Sequence, residues 1–318
     1  MRVSTMQMHN TLSGSMQKAQ GNVSKTLLQM SSGKEILKPS DDPFASVQLL
    51  KLDDHLSKLE TWSGNIDKAT TFLGNQESAL MDMNNNLDRT RDLVLSAGNG
   101  ALSLEDRKAI AKEIEQTVST LKSLANTKGA GDEYIFGGTA GQQEPVQKVP
   151  VIDEKGNPVL DADGNPVEEW SFEGSESVRE VQVSDSQHAT LGSTASDLFF
   201  QGDKDFFTQM DEFVAILNKD PLAEGELEGA IDAAIKGIDA TSGAVNEGLT
   251  DIGAEINMLE EAKDTNTDLV ATNKAMQSSL EALDYAEAIP RLTIEQTVLT
   301  ATQKGYASSS TLTLFNYI

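Results

Sequence analysis

The sequence predicts a mainly α-helical protein with a β-rich insertion: long terminal helices forming a coiled-coil or helical-bundle rod, with a small β lobe in the middle. Three observations carry this prediction. Apolar residues recur at alternating steps of four and three through residues 62–94 and again toward both ends of the chain. From Tyr134 to about Phe200 that spacing gives way to short β-prone runs split by Gly, Pro, Asn and Asp. The charge is also uneven, since residues 131–262 hold 29 Asp+Glu against 6 Lys+Arg, nearly all of the net charge of −25.

The first helical stretch carries a seam of Leu12, Met16, Ala19, Val23, Thr26 and Met30. It is weak, because 15 of residues 1–33 are Ser, Thr, Asn or Gln and Gly14 and Gly21 interrupt it. Such a helix is marginal alone and folds against a partner. Gly33 is a plausible stop. Asp42 followed by Pro43 restarts a helix, since Pro suits the first helical position and pushes the residue before it to the extended backbone of an N-cap. Trp62, Ile66, Ala69, Leu73, Gln76, Leu80, Met83, Leu87, Thr90 and Val94 then give the clearest stripe in the chain. A helix from Pro43 to Ala97 would be about 80 Å long, ending at Gly98, Asn99 and Gly100.

Ser103 with Asp106 matches a capping box, and Ile110, Ile114, Val118, Leu121 and Ala125 continue a helical stripe to a stop at Lys128 and Gly129, which makes an antiparallel helical hairpin. Gly137 and Gly138 mark the joint into the β region. Within it Gly156, Asn157, Pro158, Val159 recurs as Gly164, Asn165, Pro166, Val167, an eight-residue repeat that predicts a small meander. Helical spacing returns at Phe206, Met210, Phe213 and Leu217, then at Ile231, Ile235 and Ile238. A last long helix is expected from near Val245. The final stretch shows Met276, Leu280, Leu283, Ile294, Val298 and Ala301, with a kink expected at Pro290, and ends on Leu314 and Phe315. The domains expected are residues 1–42 with 284–318 as a terminal assembly domain, 43–135 with 202–283 as a helical rod, and 136–201 as the lobe.

His9, His55 and His188 are isolated and lack ligand spacing, so no metal site is expected. Asp161, Asp163 and Asn165 resemble a calcium loop only superficially, because Gly164 falls too early and no Glu closes the loop. Gly137 and Gly138 lack the Lys and Ser/Thr of a phosphate loop. Paired carboxylates such as Glu168 with Glu169 and Glu260 with Glu261 read as solvated faces of an acidic block, so no enzyme activity and no cofactor are expected. No Lys/Arg stripe suits nucleic acid. The N-terminus has no apolar signal core, and no window approaches the roughly 18 apolar residues of a membrane span. An assembly that stays open needs unlike faces to meet, and the seams of residues 12–30 and 276–301 are the candidate contacts.

Ser32, Gly33, Lys34 followed by Ser40, Asp41, Asp42, Pro43 at the joint between two helices resembles the N-terminal signature of bacterial flagellins and their relatives. The start Met1, Arg2, Val3, Ser4, Thr5 and the end Leu312 to Ile318 look like the hook-filament junction branch of that flagellin-like family. Asn65, Ile66, Asp67, Ala69 also match, as do Tyr134, Ile135, Phe136, Gly138, Thr139 and Leu283, Asp284, Tyr285, Ala286, Glu287, Ala288. Phe44 and Pro290 depart from the family pattern, the first replacing a smaller residue and the second interrupting a helix.

The resemblance implies a structural role: terminal helices of many subunits line a tube and the lobe faces outward. It implies as partners other copies of the chain, the first hook-associated protein and flagellin. An export chaperone and the flagellar type III exporter would deliver the chain, secreted, to the extracellular bacterial-type flagellum. The alternative within the same family is a flagellin-type filament subunit.

Overall fold

The computed structural model describes residues 2–99, 102–153, 157–160, 164–202, 204–221, 223 and 225–315, with backbone alone for residues 2–5 and 309–315. Among them the order is α1 (Arg2–Ser32), α2 (Pro43–Ala97), α3 (Leu104–Ala125), β1 (Val146–Pro150), β2 (Glu168–Phe172), β3 (Arg179–Gln182), β4 (His188–Leu191), α4 (Ala195–Phe199), α5 (Phe206–Asn218), α6 (Glu226–Glu281) and α7 (Tyr285–Phe315). The architecture is mainly α with a small β insertion. The chain divides into two compact units, residues 1–59 with 267–318 and residues 60–266.

In the second unit α2 keeps its stripe inward. All ten residues from Trp62 to Val94 singled out by their spacing are buried. Helix α3 runs back antiparallel, shown by a Thr90 to Thr117 hydroxyl bond of 3.0 Å and an Arg89–Glu113 ion pair. Its N-terminus is the predicted capping box: Ser103 accepts from the Asp106 amide while Asp106 accepts from the Ser103 amide. Helix α6 lies against α2 through Asn84 to Asn246, at 3.1 Å, and Lys263 to Asp67, at 2.7 Å. It begins at Glu226 rather than near Val245. The stripe at Ile231, Ile235 and Ile238 is thus the first part of the same helix, in which Gly229, Gly237 and Gly243 cost only about 1 kcal/mol each, which tertiary packing overrides.

The insertion is two separate hairpins instead of one meander. Strand β1 pairs antiparallel with β2 in the register Val146 with Phe172, and β3 with β4 in the register Arg179 with Leu191. The eight-residue repeat lies between β1 and β2. There the Val151 amide donates to Val167, Val159 to Val151 and Val167 to Val159, each at 2.8 Å, while Ile152 bridges Pro158 and Leu160 bridges Pro166. Asp161 and Asp163 lie outside the described residues. Residues 195–199 are helical where strand was expected. Thr194 and Asp197 form a second capping box there, a signal the sequence does carry.

The lobe has no core of its own. Phe136, Val146, Val183, Ala189 and Phe199 join Leu73, Leu80, Ile114, Phe206, Phe207 and Leu217 in one buried cluster running from Ile66 to Leu259. Two-stranded sheets cannot bury enough apolar surface alone, so they use the helices as their second layer. At its centre Phe207 meets Trp170, Phe199 and Phe206 with ring centroids 4.9, 5.0 and 5.5 Å away.

Candidate assembly surfaces

In the first unit the joint between α1 and α2 is built from its predicted residues. Gly33 takes φ +70°, where other residues are strained, and its carbonyl accepts from the Leu283 amide at 3.0 Å. The Glu35 amide donates to Glu281 at 2.7 Å, and Lys34 pairs with the Glu281 carboxylate at 2.6 Å. Asp42 accepts at one oxygen from the Phe44 and Ala45 amides, each at 3.0 Å, and so caps the helix that Pro43 opens. Asp41 accepts from the Leu37 and Lys38 amides at 3.2 and 3.1 Å and from Lys25 at 2.7 Å.

The Lys25 bond, helped by the two amides, holds the Asp41 carboxyl below its ordinary value of 3.8. A carboxylate whose folded pKa is depressed contributes stability above its unfolded pKa and loses it as pH falls through the folded one. The Leu37 and Lys38 amide shifts should therefore titrate with Asp41 below about pH 3.8, and that response should vanish in Asp41→Asn, as two-dimensional NMR would show.

Helices α1 and α7 pack antiparallel. Thr26 donates to Glu295 at 2.8 Å, Arg291 to Gln29 at 3.3 Å, and Tyr285 to the Met30 carbonyl at 2.8 Å. The His9 ring and the Tyr306 hydroxyl are 2.8 Å apart. Of the predicted N-terminal seam, Ala19 and Val23 are buried, and Leu12, Met16 and Met30 are half-buried. In the C-terminal set Leu283 is buried and Leu280 half-buried, but Met276, Ile294 and Val298 are 54%, 64% and 48% exposed. The Leu314 and Phe315 side chains lie outside the described residues.

The side of α7 that faces α1 carries Ala288, Arg291, Glu295, Leu299, Thr302 and Tyr306. The spacing missed it because Ala282–Asp284 leave the helix, resetting the phase carried from Leu280 and Leu283, and because half the inward side chains are polar. The same applies to Gln29, 6% exposed, which donates to the Glu35 carbonyl. Helix α7 runs through Pro290, and the interruption lies upstream of it. The start of α2 leaves Phe44, Val47 and Leu50 exposed, opposite buried Ala45 and Leu49. His55 sits 2.7 Å from the Asn273 amide.

In the second unit the predicted joint at Gly137 and Gly138 is a packed turn. Gly138 has φ +60°, and a Cβ there would lie 2.1 Å from the Ser175 carbonyl oxygen. Arg179 donates to the Gly138 carbonyl at 3.1 Å and also binds Glu133, whose carboxyl is held below its ordinary range by that guanidinium. Among the described residues no group of three His, Cys, Asp or Glu is placed to hold a metal ion, and no helix is long and apolar enough to cross a membrane.

Residues 3–140 match the family model of the bacterial flagellin N-terminal helical region. Flagellar hook-associated protein 3 of Escherichia coli (strain K12) is 26% identical over 333 aligned positions, covering 99% of each chain. A solved structure from Vibrio parahaemolyticus, assigned as a flagellar hook-associated protein, is 24% identical with a TM-score of 0.64, covering 76% of this chain and all of its own. The flagellar junction protein FlgL of Legionella pneumophila is 19% identical with a TM-score of 0.55, covering 74% of this chain and 99% of its own. Flagellins match over less: that of Salmonella dublin is 30% identical over 109 residues, 34% of this chain and 22% of its own. The structural likenesses speak for the fold, and the match to hook-associated protein 3 runs along the whole chain where that to flagellin does not. Along its whole length the chain is thus similar to flagellar hook-associated protein 3, and over its N-terminal part to the helical region of flagellins.

Proposed function

We propose that this chain joins the flagellar hook to the flagellin filament, as a structural component of an extracellular flagellar assembly. The observation that carries this reading is the extent of the matches: the whole chain aligns with hook-associated protein 3, whereas flagellin aligns over 34% of it. Its work is to bind neighbours rather than to turn over a substrate. The contacts are made by the α1/α7 pair, whose polar seam bonds within the chain through Thr26, Gln29, Arg291 and Glu295 while Ile294 and Val298, with Met276 at the end of α6, stay exposed for other chains. Those neighbours are hook-associated protein 1 on one side, flagellin on the other, and further copies of this chain. Delivery is by an export chaperone and the flagellar type III exporter. A helix pair with so little apolar burial orders fully only on docking, which keeps free subunits from polymerising early.

Electron microscopy of cells lacking the gene, with an assay of the medium for flagellin, tests the reading. Hooks without filaments and flagellin shed outside are expected. Normal filaments would overturn it, and so would absence of any flagellin, which would make this the filament subunit. The contact residues are tested by Ile294→Lys with Val298→Lys. Both sites are exposed, so stability should change by no more than about 0.5 kcal/mol each. Complementation by the double variant should nevertheless leave hooks bare.

A further inference from the structure

In the second unit one polar side chain interrupts the apolar stripe of α2 between Leu73 and Leu80. Gln76 is fully buried. A carboxamide in that position is costly unless its hydrogen bonds are met. Its amide nitrogen donates to the carbonyls of Ile135 and Ser193, the latter at 3.2 Å, and its oxygen accepts from the Ser193 amide at 3.3 Å. Ile135 stands where the chain enters the β lobe, and Ser193 where it leaves. The two segments are also joined directly, by the Ala195 amide donating to Phe136 at 2.9 Å.

The approach is so close that it fixes the neighbouring residue. Gly192 has φ +71°, and a Cβ on it would fall 1.5 Å from the Gln76 oxygen. Glycine is thus required twice at this place, by its backbone conformation and by the amide above it. Other helix side chains reach lobe backbone, Asn65 to Gln182 at 2.8 Å and Asn266 to Val183 at 3.3 Å. Asn126 makes two bonds to Val146, at 2.8 and 2.9 Å, and Glu255 accepts from the Thr190 amide at 2.6 Å; each of these holds the lobe at one place, whereas Gln76 holds entrance and exit together.

We infer that Gln76 and Gly192 form a latch that ties the entrance and exit of the lobe to α2, and that this latch opens without unfolding the helices. Nothing in the assembly role requires this. The latch makes the lobe a rigid continuation of the helices, so load on the lobe passes into α2 instead of being lost in a hinge.

Amide hydrogen exchange on the full chain tests it. In Gln76→Ala, exchange in residues 133–138 and 190–196 should rise by about tenfold or more, the effect of one lost buried hydrogen bond, while peptides containing Thr90 and Thr117 stay unchanged. Leu80→Ala is the control for an ordinary core defect and should raise exchange in all of them. Gln76→Met, which keeps the length and volume of the side chain but loses its donors and its amide oxygen, should show the same local pattern if the alanine variant fails to fold. Gly192→Ala should reproduce the pattern too, and the double variant with Gln76→Ala should be less disturbed than the two effects combined, because the atom that clashes is gone. A uniform rise across the unit, no rise at the two segments, or strict additivity in the double variant would each overturn the inference.

Discussion

Deleting residues 1–33 should abolish assembly completely while leaving a soluble, folded protein, and deleting residues 284–318 should do the same. The buried cluster runs from Ile66 to Leu259, so neither deletion removes a core residue of the second unit. What each removes is one half of the α1/α7 pair. The half left behind carries a weak seam, with Thr26 and Gln29 on one side and Arg291 and Glu295 on the other, and cannot remain helical in water without its partner. Thermal unfolding followed by circular dichroism should retain its cooperative transition, displaced by a few degrees at most, since about 1 kcal/mol corresponds to ~2–4 °C in a unit of this size. Complemented cells should carry bare hooks. Loss of the transition itself would mean that the terminal helices are needed to fold the rest, and assembly by either truncated chain would remove them from the contact.

The second large effect is expected at Gly138→Ala. Its φ of +60° disfavours any side chain, and the added Cβ would meet the Ser175 and Ser177 carbonyl oxygens at 2.1 and 2.8 Å. These are backbone atoms that cannot swing aside, because the Ser175 amide donates to Gly137 at 3.1 Å and Thr139 donates to Ser177 at 3.0 Å. Strain and clash together should cost about 3 kcal/mol or more, lowering Tm by roughly 10 °C. Gly164→Ala separates the two causes, since its φ is +85° but nothing lies within 4 Å of the new Cβ. It should cost only the conformational part, about 1–2 kcal/mol. Equal losses at the two positions would mean that the turn at Gly138 relaxes freely.

Much of the fold was legible because local chemistry decided it. Asp42 and Pro43 announce the start of α2, the ten-residue stripe announces its buried side, and Ser103 with Asp106 announces α3. The phase of α7 was not legible, because three non-helical residues reset it and Arg291 and Glu295 look like surface residues until Gln29 and Thr26 are placed opposite them. The same blindness hid the role of Gln76. Its spacing put it in the stripe, but its partners are backbone groups 59 and 117 residues away, and sequence spacing does not reveal those. The lobe looked independent because the helical spacing stops at Tyr134 and returns only after Phe200. Its aromatic contacts to α5 come from residues that are distant in sequence, such as Trp170 and Phe207.

The paired octads between β1 and β2 have a consequence for how such a gene can change. Each has its own bridge, Ile152 with Pro158 or Leu160 with Pro166, and the three valines Val151, Val159 and Val167 tie them into one ring of amide bonds. The octads of residues 151–158 and 159–166 share five of their eight residues, and a change of a whole octad keeps the reading frame. The β1–β2 ladder on either side, running from Val146 with Phe172 to Pro150 with Glu168, is closed by its own bonds. Substitutions in the octads, which expose Ile152 and Leu160 to the surroundings, leave the buried cluster untouched.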